Sequence, residues 1–261
     1  MTSDSLYHVG FGRRDLPDPA PTFAFLSGDP DRATLVAERH LDRPRLLSDH
    51  RGLASYVGYL GEVPVLSCTS GMGAPSTSIV VNELAQVGVT TIVRIGTTGS
   101  IQPDVPAGSV IVSHAALCRQ GAAADLAPVE YPAAADPFLT VTLADAARAL
   151  GIAHRVGVTA SVDTFFEGQE RSASSANPHL LRAVRGMTEE YRALRILNLE
   201  MEAGLLFKQA LVYGIAAGCV LAVIAQRTAG EQVVMDVKDE AVDRAIAVAV
   251  EGARRWTRRP A

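Results

Sequence analysis

The stretch Thr22-Phe23-Ala24-Phe25-Leu26-Ser27-Gly28-Asp29-Pro30-Asp31-Arg32, continuing to His40, decides the fold. Its apolar burst is too short for a helix and reads as a buried strand. A glycine turn follows, and Pro30 stands early in a helical pattern, where its missing N–H costs nothing. The same strand–turn–helix pattern repeats outward along the chain. Further strands are predicted at Val63–Thr69, Thr91–Ile95, Ser109–Ala116, Val156–Ser161, Ile196–Leu199 and Ile215–Ala225. Helical patterns lie at Pro30–His40, Pro75–Val87, Pro137–Leu150, Pro178–Leu194, Met201–Tyr213 and Val237–Trp256. This alternation predicts an α/β protein with a mostly parallel sheet covered by helices on both faces. The Ala/Gly/Pro-rich span Gly121–Pro137 reads as a surface excursion, and with no repeat or linker the expectation is one domain over residues 1–261.

Composition narrows the function classes. Of 261 residues, 48% are hydrophobic and 20% charged, so a substantial core forms and disorder is not expected. A formal net charge of −4 gives no case for nucleic acid or a membrane as partner. The basic cluster Arg254, Arg255, Arg258 and Arg259 reads as a solvated helix C-terminus, where cations offset the helix dipole. Cys68, Cys118 and Cys219 are odd in number and far apart, which suits reduced thiols and no zinc site. The N-terminus shows no apolar stretch of the signal-peptide kind. The most apolar run, Leu211–Ala225, is too short to span a bilayer and carries two glycines. A soluble, cytoplasmic protein is the expectation.

Ligands of α/β sheets bind beyond the carboxyl ends of the strands, and the unusual residues cluster there. Gly28-Asp29-Pro30-Asp31-Arg32 offers helix N-terminal N–H groups and a guanidinium, which together suit an anion; taken alone, an ordinary cap by Asp29 is the better explanation. Arg94 interrupts an apolar strand and precedes Gly96-Thr97-Thr98-Gly99-Ser100, donors suited to phosphate. A structural ion pair is the alternative for that arginine. Ser70-Gly71-Met72-Gly73-Ala74-Pro75-Ser76 is a second glycine-rich turn without the lysine of a P-loop, so triphosphate binding is not expected. Phe165–Arg171 mixes aromatic, amide and guanidinium groups that can stack on a heterocycle and read its polar edge. In Glu200-Met201-Glu202 a carboxylate can grip a vicinal diol, or merely favour the N-terminus of the next helix.

Taken together, these segments resemble the uridine phosphorylase branch of the nucleoside phosphorylase family. The likeness runs through Leu26–Arg32, His50-Arg51, Gly71–Leu84, Arg94–Pro103, Gly157–Arg171, Glu200–Glu202, Arg227-Thr228 and Ala253–Arg255, almost the whole chain. It implies a three-layer α/β/α fold around a mixed, mostly parallel, twisted sheet. It also implies phosphorolysis of uridine or a related pyrimidine nucleoside to the base and ribose 1-phosphate. By position, Gly28, Arg32, Arg94 and Thr97 would bind phosphate, joined by Arg51 of a neighbouring subunit. Glu202 and the Met201 backbone would hold the ribose, with His8 of the neighbour at the 5′-hydroxyl. Gln169, Arg171, Phe165, Ile224 and Arg227 would surround the base. Arg94, Arg171 and Glu202 would carry the catalysis. Such sharing makes a dimer the minimal active unit, and the family assembles three dimers into a hexamer.

Two positions depart from the family. Gly52 stands where related bacterial enzymes can place a carboxylate for a monovalent cation, which puts a potassium site in doubt. No other metal or cofactor is implied, phosphate being a co-substrate. Leu199 stands where an aromatic residue is expected, which bears on sugar packing. The stretch Ala225-Gln226-Arg227-Thr228 lacks the carboxylate with which purine-cleaving relatives protonate the leaving base, favouring a pyrimidine. Competing readings are a hydrolytic nucleosidase and a non-catalytic nucleoside-binding protein on the same scaffold. Residues 231–238, just before the last helix, are a candidate lid.

Overall fold

The computed structural model describes residues 5–228 and 234–258. In chain order the elements are β1 (Phe23–Ser27), α1 (Pro30–His40), β2 (Asp42–Ser48), β3 (Ser55–Leu60), β4 (Val63–Thr69) and α2 (Ala74–Gln86). Then come β5 (Thr91–Ser100), β6 (Val110–Arg119), the single turn α3 (Gly121–Ala124), α4 (Pro137–Ala149), β7 (His154–Val162) and α5 (Met187–Ala193). The chain ends with β8 (Asn198–Glu200), α6 (Ala203–Tyr213), β9 (Ala216–Gln226) and α7 (Met235–Thr257).

One mixed sheet joins all these strands in the order β2-β3-β4-β1-β5-β8-β7-β6-β9, and β9 returns to pair with β5. Five of the strands therefore close into a ring. The parallel pairs are β1–β4, β1–β5, β5–β9, β6–β7 and β7–β8; the edge meander β2–β3–β4 and the pairs β5–β8 and β6–β9 are antiparallel. Two apolar layers sandwich the sheet. One packs Val80, Val81 and Leu84 of α2 and Leu206, Phe207 and Ala210 of α6 against Ala24, Leu26 and Ile92. The other packs α1, α4 and α7 against Phe23, Phe25, Val93, Ile95 and Val220. The expected α/β sandwich is thus present, with all predicted strands.

Four boundaries differ from the sequence reading. The pair β2–β3 is absent from it, because Asp42-Arg43-Pro44-Arg45 carries three charges and a proline and shows no apolar alternation. Those residues are exposed on the sheet edge, where proline and charge are tolerated. The predicted helix Pro178–Leu194 contracts to Met187–Ala193, which begins after Gly186 in a left-handed conformation (φ 77°). The strand predicted at Thr91–Ile95 runs on to Ser100, so Gly96–Ser100 is a paired strand with a bulge at Thr98/Gly99 and not a loop. The helix predicted from Met201 begins at Ala203, leaving Glu202 as the residue that precedes it.

Candidate active site

At the carboxyl ends of β1, β5, β8 and β9 lies a cavity of about 500 Å³. Its walls include Gly28, Arg32, Arg94, Thr97, Phe165, Gln169, Arg171, Met201, Glu202 and Ile224, so ten residues singled out in the sequence converge on one space. Asp29, Met72, Thr98, Leu199, Glu200 and Lys238 share the wall.

Its anion end is built from two turns and a strand. Asp29 caps α1, accepting from the Asp31 N–H at 3.0 Å, so the bland reading of Asp29 holds alongside the cavity-lining place of Arg32. Arg32 is buried; its Nη1 donates to the Ile95 carbonyl at 3.3 Å and its Nη2 lies 3.8 Å from Asp29. Burial lowers the Arg32 pKa below the usual guanidinium range, and the neighbouring Arg94 cation pushes the same way against the pull of Asp29. Arg94 is 4% exposed and folds back over its own strand. Gly96 makes room for it, since a Cβ there would sit 2.7 Å from Arg94 Nη2. Its Nε donates to Glu200 at 3.3 Å and its Nη2 to Glu202. Burial opposes its charge, but the two carboxylates outweigh burial and hold its pKa above the ordinary value. Arg94 Nη1 and Arg32 Nε are buried without an acceptor among the described residues. Uncompensated guanidinium N–H groups are costly, and an anion in the cavity would satisfy them.

Glu202 occupies the middle of the cavity. Its Oε1 accepts from the Gly73 N–H at 2.6 Å and its Oε2 from Arg94. Gly73 adopts φ 83°, the left-handed region that glycine enters without strain, and this aims its N–H at the carboxylate. Each carboxylate oxygen keeps a further lone pair for a sugar hydroxyl. Met201 is fixed by Gln120, whose Nε2 donates to the Met201 carbonyl at 2.5 Å while its Oε1 accepts from the Leu205 N–H.

The third part of the wall comes from the segment after β7. A single turn of tight helix, Glu167–Gln169, places Gln169 and Arg171 side by side; Arg171 Nε donates to Gln169 Oε1 at 3.2 Å. The Arg171 guanidinium lies 4.3 Å from the centre of the Phe165 ring. Both polar side chains are buried, whereas Phe165 is exposed. Glu170 between them has φ 51°, and its carboxylate accepts from the N–H groups of Gly186 and Thr188, tying this segment to α5.

Three of the predicted residues do not line this chain's cavity. His8 Nδ1 meets Glu83 of α2 at 2.7 Å, and the His8 and Val9 N–H groups bond the same carboxylate. Arg51, at φ 58°, donates to the Tyr7 hydroxyl at 3.0 Å; Tyr7 in turn packs edge-on against His8 at 4.9 Å. His8 and Arg51 thus form one surface cluster around Tyr7. Arg227 lies behind the wall, its chain against Gly99 and its Nη2 3.5 Å from the Glu170 carbonyl.

In the sequence Glu200 stands out only as part of the Glu-Met-Glu run, with no role of its own. It is buried and accepts from Arg94 Nε, from Ser161 Oγ at 2.5 Å, and from the N–H groups of Glu202 and Ala203 at 2.9 Å. Burial raises its pKa above the usual carboxylate value, against the pull of Arg94. Its spacing from Glu202 in Glu-Met-Glu is the only signal in the sequence. Lys238 carried none beyond its place at the end of the candidate lid. Of that stretch, 231–233 lie outside the described residues. Val234 donates its N–H to the Ile224 carbonyl at 2.9 Å.

Residues 22–253 match the model of the phosphorylase superfamily. The chain belongs to that superfamily. Among similar proteins of this superfamily member, the uridine phosphorylase of Escherichia coli (strain K12) is 40% identical over 255 residues, covering 98% of this chain and 99% of that one. The uridine phosphorylase of Haemophilus influenzae is 41% identical, covering 87% of this chain and 88% of its own. More distantly, a guanosine phosphorylase of Halorubrum lacusprofundi is 30% identical over 85% of this chain and 86% of its own length. No helix of the described residues of this phosphorylase-superfamily chain is long and apolar enough to cross a membrane.

Proposed function

We propose that this protein is a uridine phosphorylase, a pentosyltransferase that reversibly converts uridine and inorganic phosphate into uracil and ribose 1-phosphate. The observation that carries this reading is one cavity in which Arg94 touches Glu202, while Gln169 and Arg171 stand on the same wall. Full-length likeness to uridine phosphorylases supports the choice of base.

In this reading phosphate lies against Gly28, Arg32, Arg94 and Thr97, and takes up the N–H groups that now lack acceptors. Glu202 holds the 2′- and 3′-hydroxyls beside the Met201 backbone and turns the anomeric carbon toward the anion. As the glycosidic bond lengthens, the sugar gains oxocarbenium character, which the phosphate charge stabilises. The bonding electron pair leaves with uracil, and Arg171 and Gln169 donate to the oxygens on which that charge collects. A phosphate oxygen then forms the bond to the anomeric carbon. The scheme calls for no cofactor, and Gly52 brings no carboxylate toward a monovalent cation. Phe165 covers the nucleoside, Ile224 borders the base, and Arg227 backs the base-reading segment.

His8 and Arg51 belong to the neighbouring subunit's site in this proposal. Their joint placement around Tyr7, away from their own cavity, supports a shared site and a dimer as the smallest active unit. Three dimers in a hexamer, one phosphorylase domain per chain and a cytoplasmic location complete the reading.

A panel of nucleosides incubated with and without phosphate, with the sugar product identified directly, tests it. Strictly phosphate-dependent release of uracil and ribose 1-phosphate is expected. Free ribose formed without phosphate would identify a nucleosidase instead, and preferential cleavage of guanosine or inosine would overturn the pyrimidine assignment.

A further inference from the structure

Lys238 lies in the first turn of α7, half-buried, and lines the same cavity as Arg32 and Arg94. Two helices bring it there. Val36 and Ala37 of α1 share a core with Ala241, Ala245 and Ala249 of α7. The helices α1 and α7 follow β1 and β9, which both run parallel to β5, so both helices begin at the cavity. The Val234 N–H bond to the Ile224 carbonyl ties the start of α7 to β9 at the cavity wall.

The charges there are unevenly matched. Arg94 is answered by Glu200 and Glu202, and Arg32 by Asp29 at 3.8 Å. Lys238 makes no hydrogen bond or ion pair with any described residue. Together with Arg94 Nη1 and Arg32 Nε, it gives one cavity three cationic groups with donors to spare. An uncharged nucleoside offers little to an ammonium on the cavity lining, whereas a multivalent anion offers several acceptors at once.

Resting on the phosphorolysis reading above, we infer that Lys238 is a further phosphate-binding residue, reaching from α7 to the anion that Arg32 and Arg94 hold. The lysine supplies the cavity mouth with a cation from the same chain, so the anion site is built from α1, β5 and α7 together.

The test compares wild type, Lys238→Met and Lys238→Arg in steady-state phosphorolysis of uridine, and in thermal melts with and without inorganic phosphate alone. Losing one charge-assisted contact raises the phosphate KM about tenfold in Lys238→Met. The uridine KM stays within about twofold and Lys238→Arg restores most of the phosphate affinity. Because Lys238 has no hydrogen-bond or ion-pair partner among the described residues, the melting temperature without phosphate is expected to be unchanged, and the stabilisation by phosphate shrinks in Lys238→Met. An unaltered phosphate KM, or a loss borne by the uridine KM instead, overturns the assignment. If wild type cleaves uridine without phosphate, the functional reading fails by itself; an undiminished phosphate-induced shift in Lys238→Met would then also dismiss the lysine.

Discussion

Replacing Glu200 by Gln removes one charge and almost no volume, which makes it a clean probe of how Arg94 is held. While the nearby Glu202 carboxylate adds to the rise of the Glu200 pKa, the hydrogen-bond partners of Glu200 are all donors or can be: Arg94 Nε, the Ser161 hydroxyl and the N–H groups of Glu202 and Ala203. Such a set fits an ionised, acceptor-only carboxylate. In the amide, the remaining oxygen can face Arg94 and the two N–H groups, while the new NH₂ meets Ser161 Oγ, which can accept. What is lost is the charged character of the Arg94 bond. Hydrogen bonds to charged groups contribute about 1.5–3 kcal/mol and neutral ones about 0.5–1.5. The amide also escapes the desolvation that raises the Glu200 pKa, so the expected net change in stability at neutral pH is under about 1 kcal/mol. Arg94 is then drawn toward Glu202 alone, away from the anion and onto the oxygen that the ribose needs. We expect kcat/KM for phosphate to fall about tenfold to thirtyfold, equivalent to about 1.4–2 kcal/mol. Urea melts and initial rates across phosphate concentrations check both numbers. Acidity adds a second signature. Burial raises the folded pKa of Glu200, so between the unfolded value and that raised value the native state binds more protons than the unfolded one. This group's contribution therefore weakens stability as pH rises through the window, and Glu200→Gln removes that slope. A variant with wild-type kcat/KM and an unchanged pH–stability curve would refute the view of Glu200 as the positioning residue of Arg94.

Three further expectations follow from the same geometry. Arg171→Ala should lower kcat for uridine at least about a hundredfold, since a donor placed where charge develops contributes about 3 kcal/mol, while circular dichroism stays native; a normal rate would remove Arg171 from the chemistry. Co-assembling Arg51→Ala subunits with Glu202→Ala subunits should recover activity in mixed sites that neither homomer shows, and strictly inactive mixtures would argue against sites shared between subunits. Cys68 and Cys219 are buried, with the Cys68 thiol pushed up to about 12 by its surroundings and Cys219 also raised, so a thiol reagent at pH 8 should modify at most Cys118 in the native protein and all three cysteines after unfolding.

The elements that position the site were readable because each is a strand buried on both faces followed by a marked turn. Phe23–Ser27 and Ala216–Gln226 announce themselves as apolar runs, and Asp29-Pro30 marks the start of α1. The hairpin β2–β3 was not readable, because an exposed edge strand carries no hydrophobic alternation and Arg43 and Arg45 belong to the solvent. The closure of five strands into a ring was also invisible: it depends on β5 pairing with both β8 and β9 at the level of Gly99 and Ser100, a long-range choice with no local signature. At the site, Arg94 was conspicuous as a charge in an apolar strand, and the structure shows the ion pair that was the alternative reading, with one N–H of the same guanidinium left open toward the proposed anion. Lys238 was unreadable for the opposite reason, because a lysine in the first turn of a surface helix is unremarkable until the fold aims it inward.

Why Glu200 and Glu202, two residues apart, take different parts comes down to what surrounds each. The strand that delivers them, β8, is three residues long and could not hold its register by backbone pairing alone. A buried chain of side chains holds it: Ser113 Oγ meets Thr159 Oγ1 at 2.6 Å, Thr159 donates to Asn198 at 3.0 Å, Asn198 donates to Thr98 at 2.7 Å, and Thr98 donates to the Leu199 carbonyl at 2.7 Å. The chain crosses the strand ring from β6 through β7 and β8 to β5 and is satisfied at every step, which favours one arrangement over its neighbours. Glu200, still inside the ring wall, spends both oxygens on protein donors. Glu202, two residues past the strand end, faces the cavity with a lone pair left on each oxygen. The interior network thus makes one glutamate structural and leaves the other for substrate, and of its side chains only Thr98 also lines the cavity.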